Sequence, residues 1–192
     1  MKQFGISNYI GVYDNSLSKQ DCQVLLNQFE KSPQQEGGFY TAGNFYIDHN
    51  YKKSIELKNT NFENGSVISS IIRPPLIDCI TQYMEEYPSL KYIETFGIED
   101  HYNFQKYDGE DDGYKVWHSD AGNPVCSNRI LVWMFYLNKA KSGTEFVHYG
   151  IVDAKVGRCA IWPAGFTHAH KGVIPNKGVK YIVTGWVSFE KK

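Results

Sequence analysis

The 192-residue chain has only four cysteines, and Cys22, Cys79, Cys126 and Cys159 are scattered with no C-x-x-C pair, which argues against a disulfide framework or a thiolate zinc site. They read as reduced thiols, with Cys126 an ordinary small buried or half-buried residue. Charge of either sign in excess is also missing. A net charge of -1 excludes the bulk basic surface of a nucleic-acid or membrane binder. No apolar run reaches membrane-spanning length, and Met1-Lys2-Gln3-Phe4-Gly5 starts nothing like a signal peptide, so a soluble, cytoplasmic protein is expected. Internal repeats, low-complexity segments and linkers are absent as well. One domain over 1–192 is the expectation, long enough to bury a core without staples.

What is abundant is aromatic and turn-forming: 15% aromatic residues led by 14 Tyr, with 17 Gly, a composition that favours sheet. Tyr9 to Tyr13 reads as a first strand. Ser18 with Asp21 three residues on makes a weak capping box, and Cys22, Leu25, Leu26 and Phe29 follow at helical spacing to about Lys31, where Ser32-Pro33 ends the helix. Gln34 to Thr60 is loop and strand, rich in aromatics from Phe39 to Tyr51 that pack over a sheet or line a groove. Pro74-Pro75 should break the apolar stretch from Ser66 to Ile72, so that a second helix runs from about Pro75 to Tyr87 and buries Leu76, Ile77, Ile80, Tyr83 and Met84. From Tyr92 onward the texture is β. Strands are predicted at 92–98, 102–107, 114–117, 129–137, 144–148, 157–162, 168–173 and 180–189, with turn signals such as Asp108-Gly109 and Asn176-Lys177-Gly178 between them. The acidic run Glu110-Asp111-Asp112 reads as a solvated turn. Two helices followed by about eight strands predict an α+β, mainly β chain, with residues 1–90 as helical support and substrate-side segments and 91–190 as a barrel or sandwich.

The chemistry-bearing stretch is Trp117-His118-Ser119-Asp120. On an extended chain residues i and i+2 point to one side, so His118 and Asp120 can grip one ion. Two His and one carboxylate on one face, with other positions open, is the arrangement of non-haem Fe(II) oxygenases. A second histidine must come from a later strand, and Phe166-Thr167-His168-Ala169-His170 offers two, between which the pattern does not choose. His148, beside Tyr149-Gly150, is a further ligand by residue type but reads as a strand-end histidine in a loop, and His49 and His101 have no partner pattern.

Around these residues the chain resembles the prolyl 4-hydroxylase-like branch of the Fe(II)/2-oxoglutarate-dependent dioxygenases, over roughly Tyr92 to Phe189. The motifs are His118-x-Asp120, a distal His, and about ten residues later a basic residue for the far carboxylate of 2-oxoglutarate. Lys180 lies ten residues after His170 and twelve after His168, which makes His170 the third ligand and His168 an alternate or a residue that supports the ligands from behind. Tyr107-Asp108-Gly109 is similar to the family's approach to the metal, whose tyrosine reaches the cosubstrate near the iron, and Tyr136-Leu137-Asn138 to the strand end whose tyrosine hydroxyl joins the basic residue. Ser142-Gly143-Thr144-Glu145-Phe146 resembles the Gly-Gly-x-Thr-x-Phe turn, and Trp186 the tryptophan six residues after the base. Lys in place of Arg loses the bidentate fork, so Tyr136 or Thr184 is expected to share the carboxylate.

The resemblance implies a double-stranded β-helix, the jelly-roll or cupin-like barrel, braced by N-terminal helices. It implies Fe(II), 2-oxoglutarate and dioxygen, with ascorbate as a candidate reductant, and hydroxylation of a C–H bond with decarboxylation of 2-oxoglutarate to succinate. A prolyl residue in a protein or peptide is the expected substrate. The alternatives are a small molecule or nucleobase, nucleic acid being disfavoured by charge, or a non-catalytic binding module on the same barrel. The short form is closest in kind to small bacterial or viral members.

Overall fold

The computed structural model describes residues 8–190 apart from Ala42, Asn64, Asn176 and Lys177. The start of the chain at 1–5 and the turn signal at Asn176-Lys177 lie outside the described residues.

Helix α1, Lys19–Lys31, begins where the sequence places it: the Asp21 backbone N–H donates to Ser18 Oγ at 3.0 Å, and Asp21 adds an anion to the first turn. Cys22, Leu25 and Phe29 form its buried stripe. Helix α2, Val67–Glu86, corrects the expectation of a break, since it runs without interruption through Pro74 and Pro75. A proline inside a helix costs about 3 kcal/mol through its lost N–H and ring clash. Here Ile68, Ser69 and Ile72 before the pair and Leu76, Cys79, Ile80 and Tyr83 after it share one buried stripe, while Arg73 and Pro74 face outward, so packing of the stripe holds both halves in one helix. Ile77 and Met84, expected inside, are 48% and 39% exposed. No helix among the described residues is long and apolar enough to cross a membrane.

The strands are β1 Gly11–Tyr13, β2 Gln34–Glu36, β3 Phe39–Thr41, β4 Asn44–Tyr46, β5 Lys52–Lys53, β6 Ile55–Leu57, β7 Phe96–Tyr107, β8 Gly113–Tyr114, β9 Arg129–Tyr136, β10 Gly143–Phe146, β11 Gly150–Asp153, β12 Arg158–Pro163, β13 His170–Val173 and β14 Lys180–Phe189. Among the described residues they form a large sheet ordered β1-β12-β9-β14-β7-β6-β2, a small sheet β11-β10-β13, and the pairs β3-β4 and β5-β8. Two predicted strands around 92–107 are in fact the single β7, preceded by a 3₁₀ turn at Pro88–Tyr92. The polar run Glu99-Asp100-His101 between them is bulged against β14: Gly185 pairs with Tyr102 and Val187 with Ile98, leaving Trp186 opposite three residues. Its polar groups find partners in neighbouring segments, Asp100 O accepting from Phe62 N at 3.0 Å and Asp100 Oδ1 from Glu63 N at 2.7 Å. The predicted strand at 114–117 shrinks to β8, and β11 was not foreseen.

Side-chain alternation divides β9 between two cores. Leu131, Trp133 and Phe135 pack with the helices, whereas Val132, Met134 and Tyr136 belong to the cluster that includes Phe146 from the small sheet. The architecture is the expected jelly-roll barrel with helices on the outside of its large sheet. Its functional residues hang from the inward face.

Candidate metal centre and cosubstrate pocket

His118 and His170 are clamped by reciprocal main-chain hydrogen bonds, His118 N to His170 O at 3.0 Å and His170 N to His118 O at 2.9 Å. Each imidazole presents Nδ1 to a carbonyl, that of Val116 at 3.2 Å and of His168 at 3.0 Å. A carbonyl can only accept, so both rings carry a proton on Nδ1, which leaves Nε2 as the atom that can face a metal. His170 Nε2 lies 3.5 Å from Asp120 Oδ2. Ligand atoms of His118, Asp120 and His170 all lie within 4.8 Å of one another.

Asp120 accepts the Trp186 indole N–H on Oδ1 at 2.7 Å, while its Oδ2 is buried with no hydrogen-bond partner. A buried carboxylate oxygen without a donor is costly, and a divalent cation among the three residues would satisfy it. Burial, and then the neighbouring His170, push His118 down to about 3 against the pull of Asp120. The imidazole is therefore neutral at pH 7 and available as a ligand. This donor set fits Fe(II), and Tyr114 stacks on the His118 ring at 3.7 Å.

The cavity beside this cluster is built by period-2 alternation: Lys180, Ile182, Thr184 and Trp186 from β14, and Asn103, Gln105 and Tyr107 from β7. Lys180 is 2% exposed. Its ammonium sits over the Tyr107 ring at 4.7 Å with the carbonyls of Val173 and Gly143 at 3.3 and 3.5 Å, and it makes no ion pair among the described residues. Burial pushes it down to about 8. A buried cation attended only by carbonyls and a ring has a charge that a carboxylate could pair with.

Other expected residues fall differently. Tyr107 lines the cavity but donates its hydroxyl to Gln105 Oε1 at 2.9 Å. Tyr136 does not reach the wall; its hydroxyl is bonded to Thr144 Oγ1 at 2.6 Å, and Thr144 is the residue exposed to the cavity. Thr184 lines the cavity, yet its single hydroxyl proton goes to Trp133 O at 2.8 Å, which leaves it no donor for a carboxylate. His168 is held away from the ligands, with Nε2 on Asn8 O at 2.7 Å and Nδ1 on Thr167 Oγ1 at 2.9 Å. Asp112 corrects the solvated-turn reading: it is buried, accepts from Asp108 N at 2.9 Å and pairs with Lys53 at 3.0 Å. The aromatics at Phe39 to Tyr51 form the exposed β3-β4 hairpin, and Tyr51 bridges Phe39 (3.9 Å) to Tyr114 (5.6 Å) beside the cavity.

Lys52 was overlooked. It lines the cavity in a buried pair with Glu56 at 2.5 Å, and Gln105 Nε2 donates to the same Glu56 oxygen at 2.6 Å. Alternation of Lys52, Ser54 and Glu56, and of Asn103, Gln105 and Tyr107, was the available signal for these inward faces.

Comparison with known proteins gives three findings. Residues 102–188 match the family model of the 2OG-Fe(II) oxygenase superfamily. No curated protein sequence matches the chain. Among solved structures, the chain is similar to a viral collagen prolyl hydroxylase from Paramecium Bursaria Chlorella virus-1 in its 2OG complex (18% identity, 96% of this chain and 98% of that one, TM-score 0.59). It is also similar to a Trichoplax adhaerens prolyl hydroxylase in complex with a hypoxia inducible factor peptide fragment (18%, 95% and 84%, 0.71) and to a Pseudomonas putida prolyl-4-hydroxylase (13%, 96% and 95%, 0.65). The family model bears out, over residues 102–188, the resemblance to Fe(II)/2-oxoglutarate-dependent dioxygenases and the Fe(II) and 2-oxoglutarate it implied, and the structural likeness bears out the fold.

Proposed function

We propose, from the 2OG-Fe(II) oxygenase match over residues 102–188, that this chain hydroxylates a C–H bond of a prolyl residue in a protein or peptide, with decarboxylation of 2-oxoglutarate to succinate. One observation carries the reading: a buried carboxylate oxygen lacking a donor and a buried ammonium lacking an acid line the same cavity. Bound Fe(II) would supply dioxygen activation coupled to oxidation of the cosubstrate. His118, Asp120 and His170 would hold the metal through Nε2, Oδ2 and Nε2, leaving its remaining positions free. Lys180 would take the far carboxylate of 2-oxoglutarate, with Thr144 as the hydroxyl nearest in kind to the one expected from Tyr136. Burial of both ends excludes water from the cosubstrate and strengthens each charge contact. The prolyl assignment draws support from the prolyl hydroxylases among the structural neighbours, one of which holds a peptide.

Two measurements test this. Anaerobic titration with Fe(II) and 2-oxoglutarate should give a weak visible charge-transfer band, and aerobic turnover should give succinate. Absence of both removes the oxygenase reading and leaves a binding module. In a panel of proline-containing peptides a +16 Da change should map to a prolyl residue. If oxygen enters only free amino acids or nucleobases, the prolyl assignment is wrong while the chemistry stands.

A further inference from the structure

We propose that Arg129 and Glu99 are positioning residues that act through Trp186 on the Asp120 ligand, an inference that rests on the metal reading above. The two oxygens of Asp120 have unlike surroundings. Oδ1 accepts the Trp186 indole N–H at 2.7 Å, whereas Oδ2 faces His170 Nε2 at 3.5 Å without a donor. A carboxylate turns about its terminal torsion in a broad, twofold well. A single strong donor on one side keeps the same oxygen facing the histidines.

The indole is itself held. The Arg129 guanidinium lies over its ring at 3.5 Å, Arg129 Nε is 3.3 Å from Glu99 Oε1, and the Ser188 hydroxyl donates to that same oxygen. Cation, ring and N–H therefore line up on the ligand, and the cation over the ring face polarises the N–H toward its anionic acceptor. Fold features that are otherwise unexplained converge here. The β7 bulge that disrupts pairing with β14 is the segment that begins with Glu99, and Trp186 stands opposite it. Arg129 pairs with Ser188 across the other edge of β14. A mere rim ion pair would need none of this.

The test uses the apo-protein and anaerobic calorimetry with Co(II), a redox-stable stand-in for Fe(II), so that no turnover is read. Partners one layer out from a metal typically change affinity by 10–100-fold. Trp186→Phe, which keeps the ring and loses the N–H, should weaken Co(II) binding by about that range, and Arg129→Met by roughly the lower edge of it. Arg129→Lys should restore part of the loss. Arg129→Met placed in the Trp186→Phe background should weaken binding no further, because its route to Asp120 is already cut. Arg129→Met weakening Co(II) binding equally in both backgrounds, or Trp186→Phe at wild-type affinity, would overturn the proposal. Should Trp186→Phe fail to fold, Glu99→Gln replaces it: weaker binding at an unchanged apo melting temperature supports the relay, and unchanged binding overturns it. Wild-type protein that binds no Co(II) would overturn the metal reading and the relay together, whereas normal wild-type binding with indifferent variants overturns the relay alone.

Discussion

The two faces of the large sheet are made by the same strands and do opposite work. Outward, Leu131, Trp133 and Phe135 of β9, Ile161 of β12 and Val183 of β14 close against α1 and α2 with every apolar surface covered. Inward, the alternate positions carry Lys180, Thr184, Asn103, Gln105 and Tyr107 into a cavity. The outward face lowers the free energy of the fold. On the inward face Asp120 Oδ2 and the Lys180 ammonium are buried without a countercharge or donor matched to them, a cost that a bound metal and carboxylate would recover. Substitutions should divide accordingly, with outer changes acting on stability and inner changes on binding.

Asp120→Ala should have the largest effect. It removes the only anionic ligand of the cluster, and loss should exceed the roughly 100-fold ceiling for partners one layer out, abolishing measurable Co(II) binding and turnover. Because the variant removes an orphaned buried oxygen but also strands the Trp186 indole N–H that donated to Oδ1, the two effects oppose each other and its apo-protein should melt near the wild-type temperature. A variant that loses binding only by unfolding would break the division between the two faces.

How much of this was readable in the chain depends on the range of the interactions involved. Ser18 and Asp21, three residues apart, set the start of α1, and local chemistry suffices there. His118 and Asp120 were visible by their spacing, and the structure brings His170 to them while His168 is bonded elsewhere. The choice between those neighbours came from the spacing to Lys180, a family pattern and not a physical rule. Pro74-Pro75 misled because a local penalty was overridden by a stripe whose partners lie on other elements. Tyr136 alternates onto the inward face as expected, but Thr144 from the small sheet captures its hydroxyl. The Lys52, Glu56 and Gln105 group joins residues 49 apart, so neither half announces the other.

On the outer face, Phe135→Ala should cost about 3–5 kcal/mol, since the ring is fully buried and the cavity left behind cannot collapse against Trp133 and the helices. Urea unfolding would read this as a lower midpoint. Co(II) affinity of the folded fraction should stay at the wild-type value, and a parallel drop would show that the two faces are not independent.

Lys180→Met should do the reverse at a comparable size. Burial lowers Lys180 from its usual value to about 8, so the folded state disfavours the ammonium that the unfolded chain keeps up to about 10.4. Below pH 8 that penalty is present in full, and it fades as pH rises toward the unfolded value. The apo variant should thus be more stable than wild type by up to about 3 kcal/mol at pH 7, with the advantage vanishing near pH 10. Its 2-oxoglutarate affinity, measured with Co(II) in place, should fall by about thirtyfold or more, in the range seen when one partner of a buried charge pair is truncated, about 2–5 kcal/mol.

The smallest effect is the most specific to the inner face. At pH 8.5 a lysine titrating near 8 is mostly neutral in the empty cavity, and a bound carboxylate beside it would draw the proton back. Binding of 2-oxoglutarate should then take up about 0.5–0.8 proton at pH 8.5 and far less at pH 6.5, where the ammonium is already charged. Calorimetry in two buffers of different ionisation heat reads this uptake directly, and its sign means that affinity weakens as pH rises above about 8. Lys180→Met should show no uptake at either pH. Wild-type binding with none at pH 8.5 would mean that the carboxylate lies elsewhere in the cavity, with Lys52, already paired to Glu56, as the other cation able to receive it.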